Sequence, residues 1–256
     1  MITTRHAIIP DAQIKPGDDL THIDWAANAL VEYQPDVIVV IGDWWDLPSL
    51  NGHVAPGSDQ LENSRYQDDI EAGNEAFRRL TAPMDAEIAK RRNQHKTRWT
   101  PRKVFIPGNH EHRADRVAAV EPKWKGVIGS HNCQTLDFER PEFLQIVQID
   151  GIKYYHYFPN PHSGKPIGGT IVNRLNHIGS SFVQGHQQGF LYASKQYPDH
   201  VKHGIVCGRF YNHMEPYRPK DVQESEWNGI VILNEVRNGN FDIMPLSMNY
   251  LQRRFS

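Results

Sequence analysis

The segment VIVVIGDWWDLP at positions 37–48 decides the fold, because a short apolar run of β-branched residues ends there at a glycine and two aspartates. Such a run predicts a buried strand over residues 37–41. Similar runs predict strands over residues 7–10 and 104–107, and each of the three is followed directly by polar residues. Because the carboxyl ends of parallel strands meet at one edge of an α/β sheet, we expect these polar residues to converge there.

Helical patterns lie between these strands. Apolar residues with three-or-four spacing predict one helix over about residues 18–33 and a second over about residues 67–96. Pro83 lies inside the second pattern, and we expect it to kink or split that helix. We also expect a helix after GNHE at 108–111. Residues 51–65 and 159–169 are rich in Gly, Pro, Ser and Asn, which predicts long loops.

Strands predominate from about residue 140 onward, and the last pair reads as a hairpin across Asn238-Gly239. The predicted strands cover residues 143–149, 152–158, 181–184, 190–194, 204–207, 229–236 and 241–245. An early β-α-β region followed by a β-rich region predicts the α/β class, with two mixed sheets packed together and helices outside. A length of 256 residues suits a single domain over residues 1–256.

Composition and charge bound the function only broadly. Hydrophobic residues make up 39% and charged residues 23%, which is typical of a folded globular protein. A formal net charge of -2 provides no global attraction to nucleic acid or to acidic membranes. Cys133 and Cys207 do not have metal-ligand spacing, and no apolar run approaches the length of a membrane span. We therefore expect a cytoplasmic protein that does not associate with membranes.

Residues that can bind metal recur at the predicted strand ends. They are Asp11, Gln13, Asp43, Asp46, Asn109 and His110, followed later by His156 and His186. Carboxylate and amide oxygens together with imidazoles suit divalent Mn, Fe or Zn, and two such ions can hold the attacking and leaving oxygens of a phosphoryl transfer. Two structural alternatives stay open: Asp43 and Asp46 as turn residues, and His156 as a core histidine of the aromatic stretch YYHYF.

Taken in order, these residues resemble the motifs of the calcineurin-like metallophosphoesterase superfamily, which are DxH, GDxxD, GNH(D/E), a lone His and GHxH. The chain has Asp11-Ala12-Gln13, GDWWD at 42–46, GNHE at 108–111, His156 and GHQQ at 185–188, over about two-thirds of its length. The resemblance implies a four-layer sandwich of helices and sheets. Leu47-Pro48 stand where protein Ser/Thr phosphatases have Arg-Gly, which argues against that branch.

The resemblance also implies a set of metal ligands. Asp43 would bridge two ions, and Asn109, His156 and His186 would complete the second site. Asp11, Gln13 and Gln188 would hold the first ion, where the family has histidine at both glutamine positions. Because an amide oxygen is a weaker ligand than imidazole, we expect the first site to be weak and to favour Mn or Mg over Zn. A labile first metal, a single working metal and lost catalysis stay open; Mn is the favoured ion, with Fe, Zn and Mg as alternatives.

In the family, the histidine of GNHE lies near the scissile phosphate. By the resemblance, His110 would stabilise charge or protonate the leaving oxygen, Asp46 would orient its imidazole, and a metal-activated water would be the nucleophile. The expected function is a metal-dependent phosphoester hydrolase, chiefly a phosphodiesterase or nuclease acting on nucleic acid or nucleotides. A phosphomonoesterase of the same fold and a non-catalytic metal-binding scaffold are the alternatives.

Two basic features bear on the substrate. Residues 88–109 contain seven Lys and Arg residues, no acidic residue, and Trp99, which could grip a nucleic-acid backbone and stack a base. A solvated helix end is the alternative. Arg113 and Arg116 could contact phosphate, or could pair with Glu111 and Asp115.

Overall fold

A computed structural model describes residues 3–52, 58, 61–215 and 218–256. The helices are α1 (Thr21–Tyr33), α2 (Tyr66–Asn93), α3 (Asn109–Val120), α4 (Ile171–Ile178), α5 (Lys220–Ser225) and α6 (Met248–Phe255). The strands are β1 (Thr4–Ile9), β2 (Val37–Val40), β3 (Arg102–Phe105), β4 (Val147–Ile149), β5 (Ile152–Tyr155), β6 (Ser181–Gln184), β7 (Phe190–Gln196), β8 (Val201–Cys207), β9 (Gly229–Arg237) and β10 (Asn240–Ser247).

The first sheet has the strand order β10-β9-β1-β2-β3. Strands β1, β2 and β3 are parallel, whereas β9 pairs antiparallel with both β1 and β10. Ile9 pairs with Val40, and Val40 pairs with Phe105, so the three parallel strands end level with one another. The residues that follow these strands therefore meet at one edge of the sheet, as predicted.

The second sheet has the order β4-β5-β6-β8-β7 and is also mixed. Its central strands β5, β6 and β8 are parallel, while β4 and β7 run antiparallel at the two edges. Tyr155 pairs with Gln184, so His156 and His186 follow two neighbouring strands that end at the same level.

Alternation along the strands builds the four layers. Ile8 and Val39 share a buried cluster with Ile152 and Val183, which seals the two sheets face to face. Their sequence neighbours on β1 and β2 point the other way, into a cluster with α1, α2 and α6. On the outer face of the second sheet, Phe182 packs with residues of α4. The predicted α/β fold of two packed mixed sheets flanked by helices is confirmed.

The element boundaries differ from prediction in two informative places. Pro83 does not split α2, which is a single helix; Phe77, Leu80 and Met84 are fully buried around it, and this packing offsets the lost backbone hydrogen bond. Only Val147–Ile149 of the predicted strand 143–149 forms a strand, because the chain turns just before it. The predicted loop 159–169 is free of helices and strands, and the predicted loop 51–65 lies partly outside the described residues.

Helix α2 anchors the GDWWD motif. Trp44 and Trp45 are fully buried, and both rings contact Phe77 of this helix. Gly73 leaves the space that Trp45 fills, since a Cβ there would lie 1.9 Å from the indole Cδ1. The two tryptophans are thus packing residues that fix the loop carrying Asp43 and Asp46. Within the described residues, no helix has both the length and the apolar character to cross a membrane.

Candidate functional site

Asp43 lies at the centre of the converging loops. It is buried, and its backbone has φ +47°, a left-handed conformation that a non-glycine residue adopts at a cost. Its Oδ1 accepts a hydrogen bond from the backbone N–H of His110 (2.9 Å), and its Oδ2 lies 3.2 Å from Nε2 of His156. Gly108 allows this approach, since a Cβ there would lie 2.2 Å from Oδ1.

His156 and His186 join Asp43 as a possible metal-binding group. Each of the three residues offers one ligand atom, and these atoms lie within 4.8 Å of one another. The Nδ1–H of His156 donates to the carbonyl oxygen of Ile41 (2.7 Å), which directs Nε2 toward Asp43 and toward Oδ1 of Asn109 (3.1 Å). A backbone carbonyl holding the second ring nitrogen is a typical arrangement for a metal-binding histidine.

The charges of this group compensate one another. Burial alone would lower the pKa of His156, but the adjacent Asp43 carboxylate raises it to about 10. Although burial opposes this, His110 and His156 hold the pKa of Asp43 well below its usual range. Burial lowers the pKa of His186 to about 4, so its imidazole is neutral and free to donate a lone pair.

Asp11 and Gln188 form a second part of the site, where the buried carboxylate has no ion-pair partner among the described residues. Asp11 is fully buried and forms no ion pair with any cation of the described residues. Its oxygens accept hydrogen bonds from the backbone N–H of His186 (3.1 Å) and from Nε2 of Gln188 (3.3 Å). Burial raises the pKa of Asp11 to about 7, with a further contribution from Asp43. Gln13 is buried and its backbone N–H donates to the carbonyl of Asp43 (2.9 Å).

These residues fit a divalent cation. Asp11 and Asp43 are two buried carboxylates close enough to repel each other. The side-chain oxygen of Gln188 is buried and has no hydrogen-bond partner among the described residues. A cation would offset the repulsion between the Asp11 and Asp43 carboxylates, and the Gln188 oxygen could coordinate it. Left-handed backbone at Gln13, Asp43 and His186 adds support, because such strain concentrates at binding sites.

His110 and Asp46 lie in contact beside this centre, as expected. Nδ1 of His110 lies 2.8 Å from Oδ1 of Asp46, and its Nε2 lies 3.6 Å from Oδ2 of Asp43. Burial would lower the pKa of His110, but Asp43 and Asp46 together raise it. The ring belongs to the first turn of α3, whose N-terminus also favours negative charge nearby.

Lys15 supports Asp46 from its other side. Its Nζ lies 3.5 Å from Oδ2 of Asp46 and 2.6 Å from Oε1 of Glu215. The imidazole of His213 contacts the same Glu215 oxygen at 2.8 Å and lies 3.4 Å from Asp18. Asp46 is therefore held between Lys15 and His110, which orients its carboxylate toward the imidazole.

Glu111 connects two loops of the site through hydrogen bonds to their backbone. Its fully buried carboxylate accepts hydrogen bonds from the backbone N–H groups of Gly108 (2.7 Å), Asp43 (3.0 Å), Trp44 (2.7 Å) and Trp45 (3.1 Å). This one side chain ties GDWWD to GNHE. Sequence reasoning did not assign this role, since an acidic residue in the first turn of a helix is ordinarily a solvent-exposed partner of the helix N-terminus.

Arg113 reaches the imidazole of His110. Its Nη1 donates to the carbonyl of Asp46 (2.9 Å), and its Nη2 lies 2.9 Å from Nε2 of His110. Because a guanidinium can only donate, Nε2 accepts this bond and the ring proton is on Nδ1.

The two acidic residues near these arginines have other partners. The Glu111 carboxylate accepts hydrogen bonds from backbone N–H groups, and the Asp115 carboxylate accepts one from the backbone N–H of Ser130 (2.8 Å). Neither acid pairs with Arg113 or Arg116, contrary to the pairing alternative.

The basic stretch before GNHE does not line the site. Trp99, expected as a stacking residue, is buried and its Nε1–H donates to the carbonyl of Pro35 (2.8 Å). Arg102 pairs with Glu139 (2.8 Å), and Lys103 pairs with Asp137 (2.7 Å). Arg102 begins β3, whereas the site lies beyond the end of that strand. Trp99 is therefore a packing residue, and the interpretation in which it could stack a base is excluded.

Comparisons with known proteins find low similarity. No family model matches the sequence, and no curated protein matches it. Solved structures that are similar include Vps29 from Entamoeba histolytica in mutant form (9% identity, 95% of this chain and 98% of that chain, TM-score 0.41). Its wild-type form in complex with zinc is 10% identical (96% and 99% covered, TM-score 0.37), and YfcE, a phosphoesterase from E. coli, is 12% identical (96% and 100% covered, TM-score 0.40). Similarity at this level assigns no function to the present chain.

Proposed function

We propose that this chain is a metal-dependent phosphoester hydrolase that cleaves phosphodiesters. The observation that carries the proposal is the convergence of Asp43, His156 and His186, whose ligand atoms lie within 4.8 Å of one another, beside the His110–Asp46 pair. A metal-binding group next to an imidazole with a carboxylate partner is the arrangement that charge stabilisation and proton transfer at a phosphate require.

Asp43, Asn109, His156 and His186 would hold one divalent ion. Asp11, Gln13, Asp43 and Gln188 would hold another, with Mn proposed because oxygen ligands dominate that set. When bound, such ions activate water and neutralise the charge that develops on phosphate oxygens.

His110 serves as the proton donor to the leaving oxygen from Nε2. Asp46 fixes the ring through Nδ1 at 2.8 Å, and the carboxylates of Asp43 and Asp46 raise the pKa of the ring, which favours a proton on Nε2. In the substrate-free arrangement, Arg113 donates to that same Nε2. A phosphate oxygen is a better acceptor for a guanidinium than an imidazole, so substrate draws Arg113 away and leaves Nε2 free to protonate.

A diester is favoured because two separate surfaces adjoin the site. A cavity of about 340 Å³ beside Arg113 is lined by Leu50, Val117 and Val120, and half-buried aromatic rings extend from His186. A phosphodiester has an ester group on each side of the phosphorus, and each surface can receive one of them. Nucleic acid or a nucleotide is accordingly the proposed substrate.

A turnover assay tests the function directly. With Mn present, hydrolysis of bis(4-nitrophenyl) phosphate, 4-nitrophenyl phosphate, and single- and double-stranded DNA is compared for wild type and Asp43→Asn. Asp137→Asn is the matched control, because it makes the same change at an exposed carboxylate that contacts Lys103 rather than the site. Metal analysis of each protein accompanies the rates.

We expect Mn-dependent cleavage by wild type and by Asp137→Asn, with loss of at least about a hundredfold in Asp43→Asn. Equal rates for wild type and Asp43→Asn on every substrate would rule out the enzyme and leave a metal-binding scaffold. Faster cleavage of the monoester than of the diester would overturn the diester proposal alone.

A further inference from the structure

A continuous run of aromatic rings leads away from the metal-binding group. The ring of His186 lies 4.8 Å from that of Tyr157, and Tyr157 meets Phe143 edge-on at 6.3 Å. Phe143 in turn stacks on His112, with centroids 4.3 Å apart and planes 15° apart. The run therefore joins the loop after β5, the turn before β4 and the outer face of α3.

These rings do not contribute to the interior of the protein. Tyr157, Phe143 and His112 are all half-buried, and none belongs to the three hydrophobic clusters. The hydroxyl of Tyr157 forms no hydrogen bond with another described residue. Because its ring is partly exposed and lies outside the hydrophobic clusters, Tyr157 is available to a ligand.

The same rings border a cavity, and an exposed arginine lies near them. Phe143 and His112 line a cavity of about 430 Å³, whose lining includes Arg140 and the acidic residues Asp115 and Glu142. That volume is within the range of small-molecule sites. Burial and Asp43 raise the pKa of the Tyr157 phenol, and Arg116 is near enough to oppose that rise; Arg116 is exposed and forms no ion pair with the described carboxylates.

We propose that Tyr157, Phe143 and His112 form a nucleobase-binding surface, which makes the substrate a nucleoside phosphoester. The inference rests on the proposed function, because it takes the phosphate to lie at Asp43 and His110. Aromatic faces bind the planar rings of bases with little dependence on sequence, while unpaired arginines bind the phosphates. A sugar phosphate would instead require clustered hydrogen-bonding groups in place of stacked rings.

Two synthetic diesters with the same leaving group isolate the contribution of the base. We compare kcat/KM for thymidine 5′-(4-nitrophenyl phosphate) and for methyl 4-nitrophenyl phosphate, in wild type, Phe143→Ala, Phe143→Trp and Tyr157→Leu. Tyr192→Leu is the matched control, since Tyr192 is an exposed aromatic residue of β7 that stacks on His203. Binding of thymidine 5′-monophosphate and of a short single-stranded oligothymidylate is measured by calorimetry on the Asp43→Asn protein.

We expect wild type to prefer the thymidine ester by about tenfold or more, mainly through KM, as stacking of one base predicts. The ratio of kcat/KM for the thymidine ester to kcat/KM for the methyl ester should fall several-fold toward one in Phe143→Ala and Tyr157→Leu. The same ratio should be retained in Phe143→Trp and Tyr192→Leu. A wild-type preference near one, or a preference unchanged in both Phe143→Ala and Tyr157→Leu, would overturn the nucleobase surface.

The binding measurements separate the two proposals. If no substrate is turned over but Phe143→Ala weakens nucleotide binding, the hydrolase proposal fails and the nucleobase surface stands. Absence of nucleotide binding, or binding that is equal with and without Phe143→Ala, overturns the surface whatever the turnover. Tighter binding of the oligothymidylate than of the mononucleotide identifies a nucleic-acid strand as the source of the base, and equal binding identifies a free nucleotide.

Discussion

The carboxylate of Glu111 accepts a hydrogen bond from the backbone N–H of Asp43, at 3.0 Å, so that α3 holds the loop that presents the central aspartate of the site. Three further backbone N–H groups, from Gly108, Trp44 and Trp45, bind the same carboxylate. A loop with four unpaired N–H groups would be costly to bury, and Glu111 satisfies all of them at once.

We expect Glu111→Gln to lower both stability and metal affinity. Glutamine keeps one acceptor oxygen but places an NH2 group against backbone N–H donors, which leaves buried donors unsatisfied. The free energy of unfolding should fall by about 2 kcal/mol or more. Urea denaturation and Mn titration measure the two effects. Glu121→Gln, at the exposed end of α3, is the control, and equal stability of the two variants would contradict the assigned role.

Asp46→Asn should slow poor leaving groups more than good ones. The amide still reaches Nδ1 of His110 but no longer raises its pKa, so less of the imidazole carries a proton for the leaving oxygen. For an unactivated phenyl diester we expect a loss in kcat of about a hundredfold. A 4-nitrophenyl diester, whose leaving group needs no proton, should lose clearly less. Equal losses for the two esters would show that His110 is not the proton donor.

Sequence predicted the fold and the convergence of the candidate metal-binding residues because both depend on local patterns. Apolar runs identify buried strands, and the polar residues after Ile9, Val40 and Phe105 must converge once those strands are parallel.

The role of Glu111 could not be predicted, since most of its partners are backbone groups that are far away in sequence. The packing role of Trp99 could not be predicted for a related reason, because composition does not reveal that a distant carbonyl, that of Pro35, holds its ring inward. Pro83 is a further example: its local tendency to break a helix predicted a kink or a split in α2, but tertiary packing keeps α2 a single helix.

Asp69 gives a pH dependence that is separate from the metal site. It is 1% exposed, and burial raises its pKa to about 6 despite hydrogen bonds from Ser49. A folded pKa above the unfolded value of about 3.9 means that the neutral form is preferred in the folded state. Its favourable contribution is therefore complete below about pH 4 and is lost as the pH rises through about 6, at a cost of roughly 3 kcal/mol.

Replacing the carboxylate should remove this dependence. We expect Asp69→Asn to gain stability relative to wild type as the pH rises from about 4 to about 7, with little difference at the acidic end. Chemical denaturation across that range measures the effect, with Asp68→Asn, an exposed neighbour on α2, as the control. A stability difference between Asp69→Asn and wild type that does not change with pH would contradict the raised pKa.

The two glutamines at the first metal position give the most direct test of the ligand assignment. Gln188 donates Nε2–H to Oδ2 of Asp11 at 3.3 Å, and its own side-chain oxygen has no partner among the described residues. The double change Gln13→His and Gln188→His supplies two imidazoles, which are stronger ligands for Mn or Zn than amide oxygens. We expect the number of ions bound per chain to rise from about one to about two at limiting metal, as a complete two-metal site requires. Gln187→His is the matched control, because it adds an imidazole one residue away, and a gain equal to that of the double variant would mean that Gln13 and Gln188 do not hold the first ion.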